Sequence, residues 1–255
     1  MTLGLPLSTM YAFLLVLARV AGMITFLPVP GFTNAPLSIR VILALAIALA
    51  LFPVWPALPN AAPSIGQLTV WAFSEAGFGL VAGLAVAFLT EGFQIAAQVL
   101  GLQAGYGYAT TVDPTSQADS GILPVMTLLI TGLLFFTLGF DHQLIRVLVA
   151  SFEKFPAGSW APVAGSLDGI VRLGAGMFTT GLRLAMPVIA MLLLIDIALA
   201  LLGRMQQQLQ LLSLSFPAKM LAALAILSAL APMMPRMFSA AGSRTIAALW
   251  RFLGF

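Results

Sequence analysis

Residues 67–102 read QLTVWAFSEAGFGLVAGLAVAFLTEGFQIAAQVLGL. As one helix these 36 residues would reach roughly 50 Å at 1.5 Å per residue. A bilayer's hydrocarbon core is only about 30 Å thick. Such a helix must tilt, kink or project beyond the bilayer. Gly79, Gly83, Ala87, Thr90, Gln94, Gln98, Gly101 and Gly105 follow one another at spacings of 3 or 4, which puts them on one helical face. The first half of that face is small and allows close backbone approach. The second half bears amides, which suit a hydrated surface or hydrogen bonds to neighbouring helices. Glu91 lies beside it. Helix–helix packing and pore lining both remain open for this face.

The same run leads into the longest polar interruption of the chain, GLQAGYGYATTVDPTSQADSG at 101–121. Gly101, Gly105 and Gly107 can take backbone conformations closed to other residues. Tyr106 and Tyr108 offer wide amphipathic rings. Asp113-Pro114 favours a turn and ends any helix before it. Tyr106, Tyr108, Ala109 and Val112 fit poorly to a purely solvated loop.

The rest of the chain fixes the solvent. Of its 255 residues 61% are hydrophobic and 7% charged, against roughly 25% charged in a soluble domain. So apolar a chain cannot cover itself with polar groups in water. The fold class is all-α: a polytopic membrane protein of about six long hydrophobic helices arranged as hairpins. The apolar runs are too long for barrel strands. The net charge of +3 comes from 11 basic residues spread thinly, with no basic-aromatic patch for nucleic acid. There is no cysteine, which removes disulfides and thiolate chemistry. Residues 1–9 lack a positive n-region, so the first helix is expected to act as the targeting segment.

Further helices are expected at about 7–27, 37–55, 122–152, 168–203 and 217–231. Arg19 is the sole charge of the first, facing other helices or snorkelling to an interface. Prolines 53, 56, 59 and 63 demand an extended loop. His142 beside Asp141 suits a local hydrogen bond or a proton relay. In the fifth helix Arg172, Gly176, Thr179, Arg183, Pro187 and Ala190 recur at 3 or 4, and Pro187 should kink it. Asp196 falls on the opposite side from Arg183, so each should meet another helix or subunit. Prolines 232 and 235 end the sixth helix. The tail, with Arg236, Arg244, Arg251 and Trp250, reads as an interfacial helix. Positive charges divide four against three between the two sides and set no orientation.

No Gly-x-Ser-x-Gly, His-Glu-x-x-His or P-loop motif is present, and one histidine with scattered carboxylates gives no metal-ligand spacing. The chain is not read as an enzyme, and no cofactor is implied. A polytopic solute permease remains an alternative, with Glu91, Arg183 and Asp196 as intramembrane substrate or proton sites.

Several motifs resemble the FliR/SpaR/YscT family, the export-gate subunits of type III secretion. Ala18-Arg19-Val20-Ala21-Gly22, Pro28-Val29 and Arg40-Val41 look like the family's opening pattern. Glu75-Ala76-Gly77 with Gly79 and Gly83 resembles its third segment. Gly101-Leu102-Gln103-Ala104-Gly105-Tyr106-Gly107-Tyr108-Ala109-Thr110, ending in Asp113-Pro114, is the most telling match, and Phe216-Pro217-Ala218-Lys219 also fits. Thr111-Val112 stand where the family often has bulkier apolar or aromatic residues. The stretch from Gln208 and Gln210 to Lys219 is similar to the hairpin tip of FliQ, although Gln210 and Ser215 replace the common Asn and Gly.

The resemblance implies a single-copy subunit that assembles with FliP and FliQ homologues in a 5:4:1 helical complex, next to FlhB and FlhA homologues. Unfolded flagellar proteins would pass through it, at the inner membrane within the flagellar basal body. Residues 1–165 would be FliP-like and 166–255 a FliQ-like hairpin with a basic tail. Gly101, Gly105, Tyr106, Gly107, Tyr108, Ala109, Thr110, Thr111, Val112, Asp113 and Pro114 would form the pore plug. Glu75, Glu91, Gln94, Gln98, Arg183 and Asp196 would face the pore or neighbouring subunits. Gln208, Gln210, Phe216, Pro217 and Lys219 would form a cytoplasmic connector. Membrane lipid would be the remaining partner; no nucleic acid is implied.

Overall fold

The structure is a computed structural model that describes residues 6–27, 36–56, 58, 63–106, 121–156, 158–160, 164–205 and 211–253. Every regular element among the described residues is helical. The α-helices are α1 (Leu7–Thr25), α2 (Leu37–Ala50), α3 (Ile65–Ala104), α4 (Ile122–Thr137), α5 (Phe140–Lys154), α6 (Ala164–Met205), α7 (Leu211–Leu230) and α8 (Met234–Leu253). Short 3-10 turns occupy Phe52–Val54 and Ala231–Met233. Among the described residues four helical stretches are long and apolar enough to cross a membrane, and a fifth is added if α4 and α5 form one broken span. The all-α, polytopic fold class therefore holds. At 14 residues, α2 is shorter than the roughly 20 a span requires.

Local chemistry explains where the elements begin and end. Gln67 N–H donates to Ser64 Oγ at 3.3 Å and Ser64 N–H to Gln67 Oε1 at 3.1 Å. This capping box starts α3 at Ile65, two residues before the expected Gln67. The expected single helix over 122–152 breaks at Gly139, whose φ of +71° glycine adopts without a Cβ penalty. Asp141 in the first turn and Lys154 in the last turn of α5 complement its dipole. The sixth helix was expected from Pro217, but α7 begins at Leu211 and Pro217 lies inside it. Proline's fixed φ is helical, but its missing N–H loses a hydrogen bond and its ring crowds the preceding turn. Pro235, expected to stop a helix, instead sits in the first turn of α8, where the absent donor has no intrahelical partner to lose.

The chain forms two compact units, each discontinuous in sequence. The first comprises Met1–Leu89, Phe135–Gly174 and Gly242–Phe255. Its central feature is the crossing of α1 and α3. A methyl on Gly79 would overlap the Arg19 carbonyl and lie 2.8 Å from Met23 N. One on Gly83 would overlap the Met23 carbonyl, and one on Gly22 the Ala76 carbonyl. The first half of the small-residue face of α3 is thus a helix–helix packing surface. Beside it α2 lies against α1, with Ala44 and Ala48 as its buried positions. Phe78, Trp160 and Phe252 close the core, with ring centroids 5.8–6.2 Å apart.

The second unit comprises Thr90–Leu134 and Ala175–Ala241. Ala96, Ala97, Leu100 and Ala104 of α3 pack with Leu123, with Ala185, Val188 and Leu192 of α6, and with Ala223 of α7. Four of these are alanines of α3 and α7, so the helices approach through small side chains as membrane bundles do. Rings of Phe93 and Phe238 add a contact at 5.3 Å.

Gly79→Ala and Gly83→Ala should each lower the thermal midpoint of the detergent-purified protein, because overpacking a close crossing costs about 1–3 kcal/mol. Gly169→Ala, where an added methyl meets open space, should leave it unchanged or raise it. Equal midpoints for all three would dismiss the crossing as the reason for these glycines.

Candidate functional site

The polar segment begins at the C-terminus of α3, and its start is fixed by backbone chemistry. Tyr106 N–H donates to Gly101 O at 3.0 Å and Gly105 N–H to Leu102 O at 3.2 Å. With Gly105 at φ +84° this is a Schellman cap, in which the residue after the helix must be left-handed. A Cβ on Gly105 would also lie 2.8 Å from the Phe216 ring of α7. Two constraints, dihedral and steric, therefore demand glycine there. The Tyr106 hydroxyl donates to the Met220 carbonyl at 3.2 Å. One residue before Met220, Lys219 Nζ lies 2.8 Å from Asp196 Oδ1 and 3.0 Å from Oδ2 of α6.

Two motifs more than a hundred residues apart in sequence meet here. Phe216, Lys219 and Met220 lie at spacings of 3 and 4 and share one face of α7. That face receives the end of α3 on one side and Asp196 on the other. Of the expected plug residues, Gly101, Gly105 and Tyr106 are placed at the helix terminus. Gly107, Tyr108, Ala109, Thr110, Thr111, Val112, Asp113 and Pro114 lie outside the described residues, as do Gln208 and Gln210 of the connector. Pro217 is exposed on α7.

The residues expected at pore or subunit surfaces divide. Glu91, Gln98 and Arg183 are exposed, whereas Gln94 is buried. Arg183 shares an exposed face of α6 with Gly176, Thr179, Pro187 and Ala190. Arg172 pairs with Asp168 one turn earlier at 2.9 Å. No ion pair among the described residues joins Glu91, Arg183 and Asp196 to one another. His142 Nδ1 lies 3.0 Å from Asp141 Oδ1 on an exposed surface, a local hydrogen bond.

Glu75 departs from its expected outward position. It is fully buried in the first unit, because both carboxylate oxygens are engaged there. Oε2 accepts from Arg19 Nε, and Oε1 accepts from Gly158 N–H at 2.8 Å. Arg19 is equally buried. Its Nη1 donates to Ser151 Oγ at 2.7 Å and its Nη2 to the Phe155 carbonyl at 3.2 Å. The guanidinium lies over the rings of Phe152 and Phe78, 4.1 and 4.8 Å from their centroids. Arginine suits such a site because its planar fork serves several acceptors while its faces stack on aromatics. This centre ties α1, α3, α5 and the turn after α5. Sequence reading left its pairing unassigned. The available signal was one cation in α1 and one acid in the first half of α3, each otherwise prohibitive in an apolar helix.

The family model described as "Bacterial export proteins, family 1" matches residues 10–244. The flagellar biosynthetic protein FliR of Escherichia coli strain K12 is 30% identical over 218 residues, covering 85% of this chain and 83% of that protein. FliR of Caulobacter vibrioides is 26% identical over 219 residues, covering 86% and 87%. FliR of Bacillus subtilis strain 168 is 26% identical over 211 residues, covering 82% and 81%.

Removing one partner of a buried pair strands the other charge and typically costs about 3–5 kcal/mol. Arg19→Met should therefore destabilise the detergent-purified chain strongly in thermal denaturation. Adding Glu75→Leu to it should recover part of the loss. A double variant no better than the single one would show that the two charges are not energetically coupled.

Proposed function

Because the chain belongs to the bacterial export proteins of family 1, and its relatives are flagellar biosynthetic proteins, we propose that it is the FliR-type subunit of a flagellar export gate. In this reading it sits in the inner membrane and assembles in one copy with FliP and FliQ homologues, in a 5:4:1 complex. FlhB and FlhA homologues adjoin it. The conduit so formed passes unfolded flagellar proteins. Residues 1–165 supply the FliP-like part and 166–255 the FliQ-like hairpin with its basic tail. The segment from Gly101 to Pro114 closes the conduit at rest.

The observation that carries this reading is the exposed face of α6. Asp168–Arg204 is the most apolar of the candidate spans, yet Thr179 and Arg183 stand exposed on it. An arginine facing hydrocarbon is costly by several kcal/mol or more. That face therefore needs a neighbouring protein or a water-filled conduit, and a subunit of a pore assembly has both. Gly176 and Ala190 on the same face let another helix come close. A plug that starts at a capped, docked helix end is anchored at its root. Its glycines and tyrosines allow close packing in a narrow lumen and exclude water.

Deleting residues 107–112, which spares the α3 cap, should leave recovery of the complex intact and make cells leak small ions. A tight membrane with normal recovery would sink the plug assignment. Arg183→Glu should reduce recovery of the complex. Unchanged recovery and secretion would make Arg183 peripheral.

A further inference from the structure

We propose that Arg236 and Arg244 of α8 bind the headgroups of anionic phospholipid where the last helix leaves the membrane. The proposal does not depend on the export-gate reading.

Ser215–Leu253 is one helical stretch of 39 residues. At 1.5 Å per residue it is roughly 58 Å long, against a hydrocarbon core of about 30 Å. Part of it must therefore stand outside the core, and the exposed side chains mark where. Leu221, Leu224, Met233 and Met237 are exposed large apolar groups, and none follows among the described residues. From Ser215 to Met237 the helix rises roughly 33 Å, close to the depth of the core. Beyond Met237 the exposed positions are Ala240, Ser243, Arg244, Ala247 and Arg251. A second pair of helices marks the same boundary. The exposed apolar side chains of α4 end at Phe136. The chain then bends by 63°, and α5 shows His142, Ile145 and Arg146, a mixture suited to an interface. In the first unit the Phe140 ring, at the start of α5, packs on Gly242 of α8, where a Cβ would overlap it.

Only one face of α8 is available to a partner. Ile246, Leu249 and Leu253, which an interfacial helix would bury in lipid, are buried in the protein. Arg236, Ala240, Arg244, Ala247 and Arg251 recur at spacings of 3 or 4 and form the outward face. α8 contains no acidic residue. Among the described residues no carboxylate pairs with these arginines, so their counter-charge is an anion that no described residue supplies.

Two observations select phospholipid over an acidic protein. Arg236 adjoins Met237, and Arg244 lies roughly 10 Å beyond it along the helix. The headgroup layer is about 5–8 Å deep on each side of the core, and the long arginine stems let both guanidinium groups reach it. There a guanidinium can hold a phosphate through two parallel hydrogen bonds. The outward face past Met237 otherwise offers only Ala and Ser, without the large anchors on which protein interfaces depend. Arg251 rises roughly 20 Å beyond Met237, past that layer, and its Nε donates to the Ala247 carbonyl of its own helix at 3.3 Å.

The test titrates the full-length chain, purified in neutral detergent, with phosphatidylglycerol or phosphatidylcholine and counts bound lipid by native mass spectrometry. Phosphatidylglycerol should bind more tightly, and added salt should erase the preference by screening. Arg236→Gln and Arg244→Gln should each weaken its binding roughly fivefold, the scale of one arginine at an anionic surface, with the lipid-free thermal midpoint unchanged. Arg251→Gln should bind as the parent does, and inorganic phosphate should not compete. Equal binding of the two lipids, a preference that salt leaves intact, or full phosphatidylglycerol binding by the Arg236→Gln/Arg244→Gln double variant would overturn the proposal. The salt and lipid comparisons use the parent chain, so they decide the matter even if a variant folds poorly. Competition by phosphate would make this a free-anion site. Loss of co-purifying membrane proteins with lipid binding intact would make it a protein contact. Either outcome refutes the lipid assignment, and an Arg251→Gln loss as large as that of Arg244→Gln refutes the exit at Met237.

Discussion

The buried Arg19–Glu75 pair is the interaction on which the first unit depends. Two charges are held without water contact, and each carries a large desolvation cost. That cost is met only because every polar atom has a defined partner: Ser151, the Phe155 carbonyl and the Gly158 amide complete the set. The glycines at 22, 79 and 83 bring α1 and α3 close enough for the pair to form. Gly158, at φ +74°, turns its amide toward Glu75 while its Cα faces the Trp71 ring. A side chain there would be strained and would overlap that ring. Packing and electrostatics are therefore mutually dependent: a displaced helix would leave a charge unpaired, and an unpaired charge would disfavour the crossing.

The same helix serves two purposes along its length. The first half of α3 is committed to the buried pair and to α1. The second half packs through alanines in the second unit and ends at the capped root of the polar segment. At that root Tyr106 is held by the Met220 carbonyl, and the neighbouring Lys219 pairs with Asp196.

Much of the fold was legible because it is local in sequence. Composition alone required helices in a membrane, and small residues at spacings of 3 and 4 marked the face of α3 that packs. Membership of the export family was legible in ordered motifs. What stayed hidden was long-range or set by single residues. Arg19 and Glu75 are 56 positions apart, and several helices could have offered Arg19 a partner. Glu75 was placed at a pore or subunit surface on the family resemblance; here it is a buried structural counter-charge. One glycine in a long apolar run is tolerated in helices, so the break at Gly139 gave no clear signal. Pro217 was read as a start, although its φ is compatible with a helix interior. The partner of Asp196 was left open, since only the fold brings Lys219 to it.

The most direct measurement is the native mass of what an affinity-tagged copy of this chain carries out of the membrane in mild detergent. The account predicts a complex in which one copy of the chain is accompanied by several copies of FliP and FliQ homologues, and no solute uptake by the chain alone in liposomes. A chain that purifies by itself and moves a solute across liposomes would contradict it.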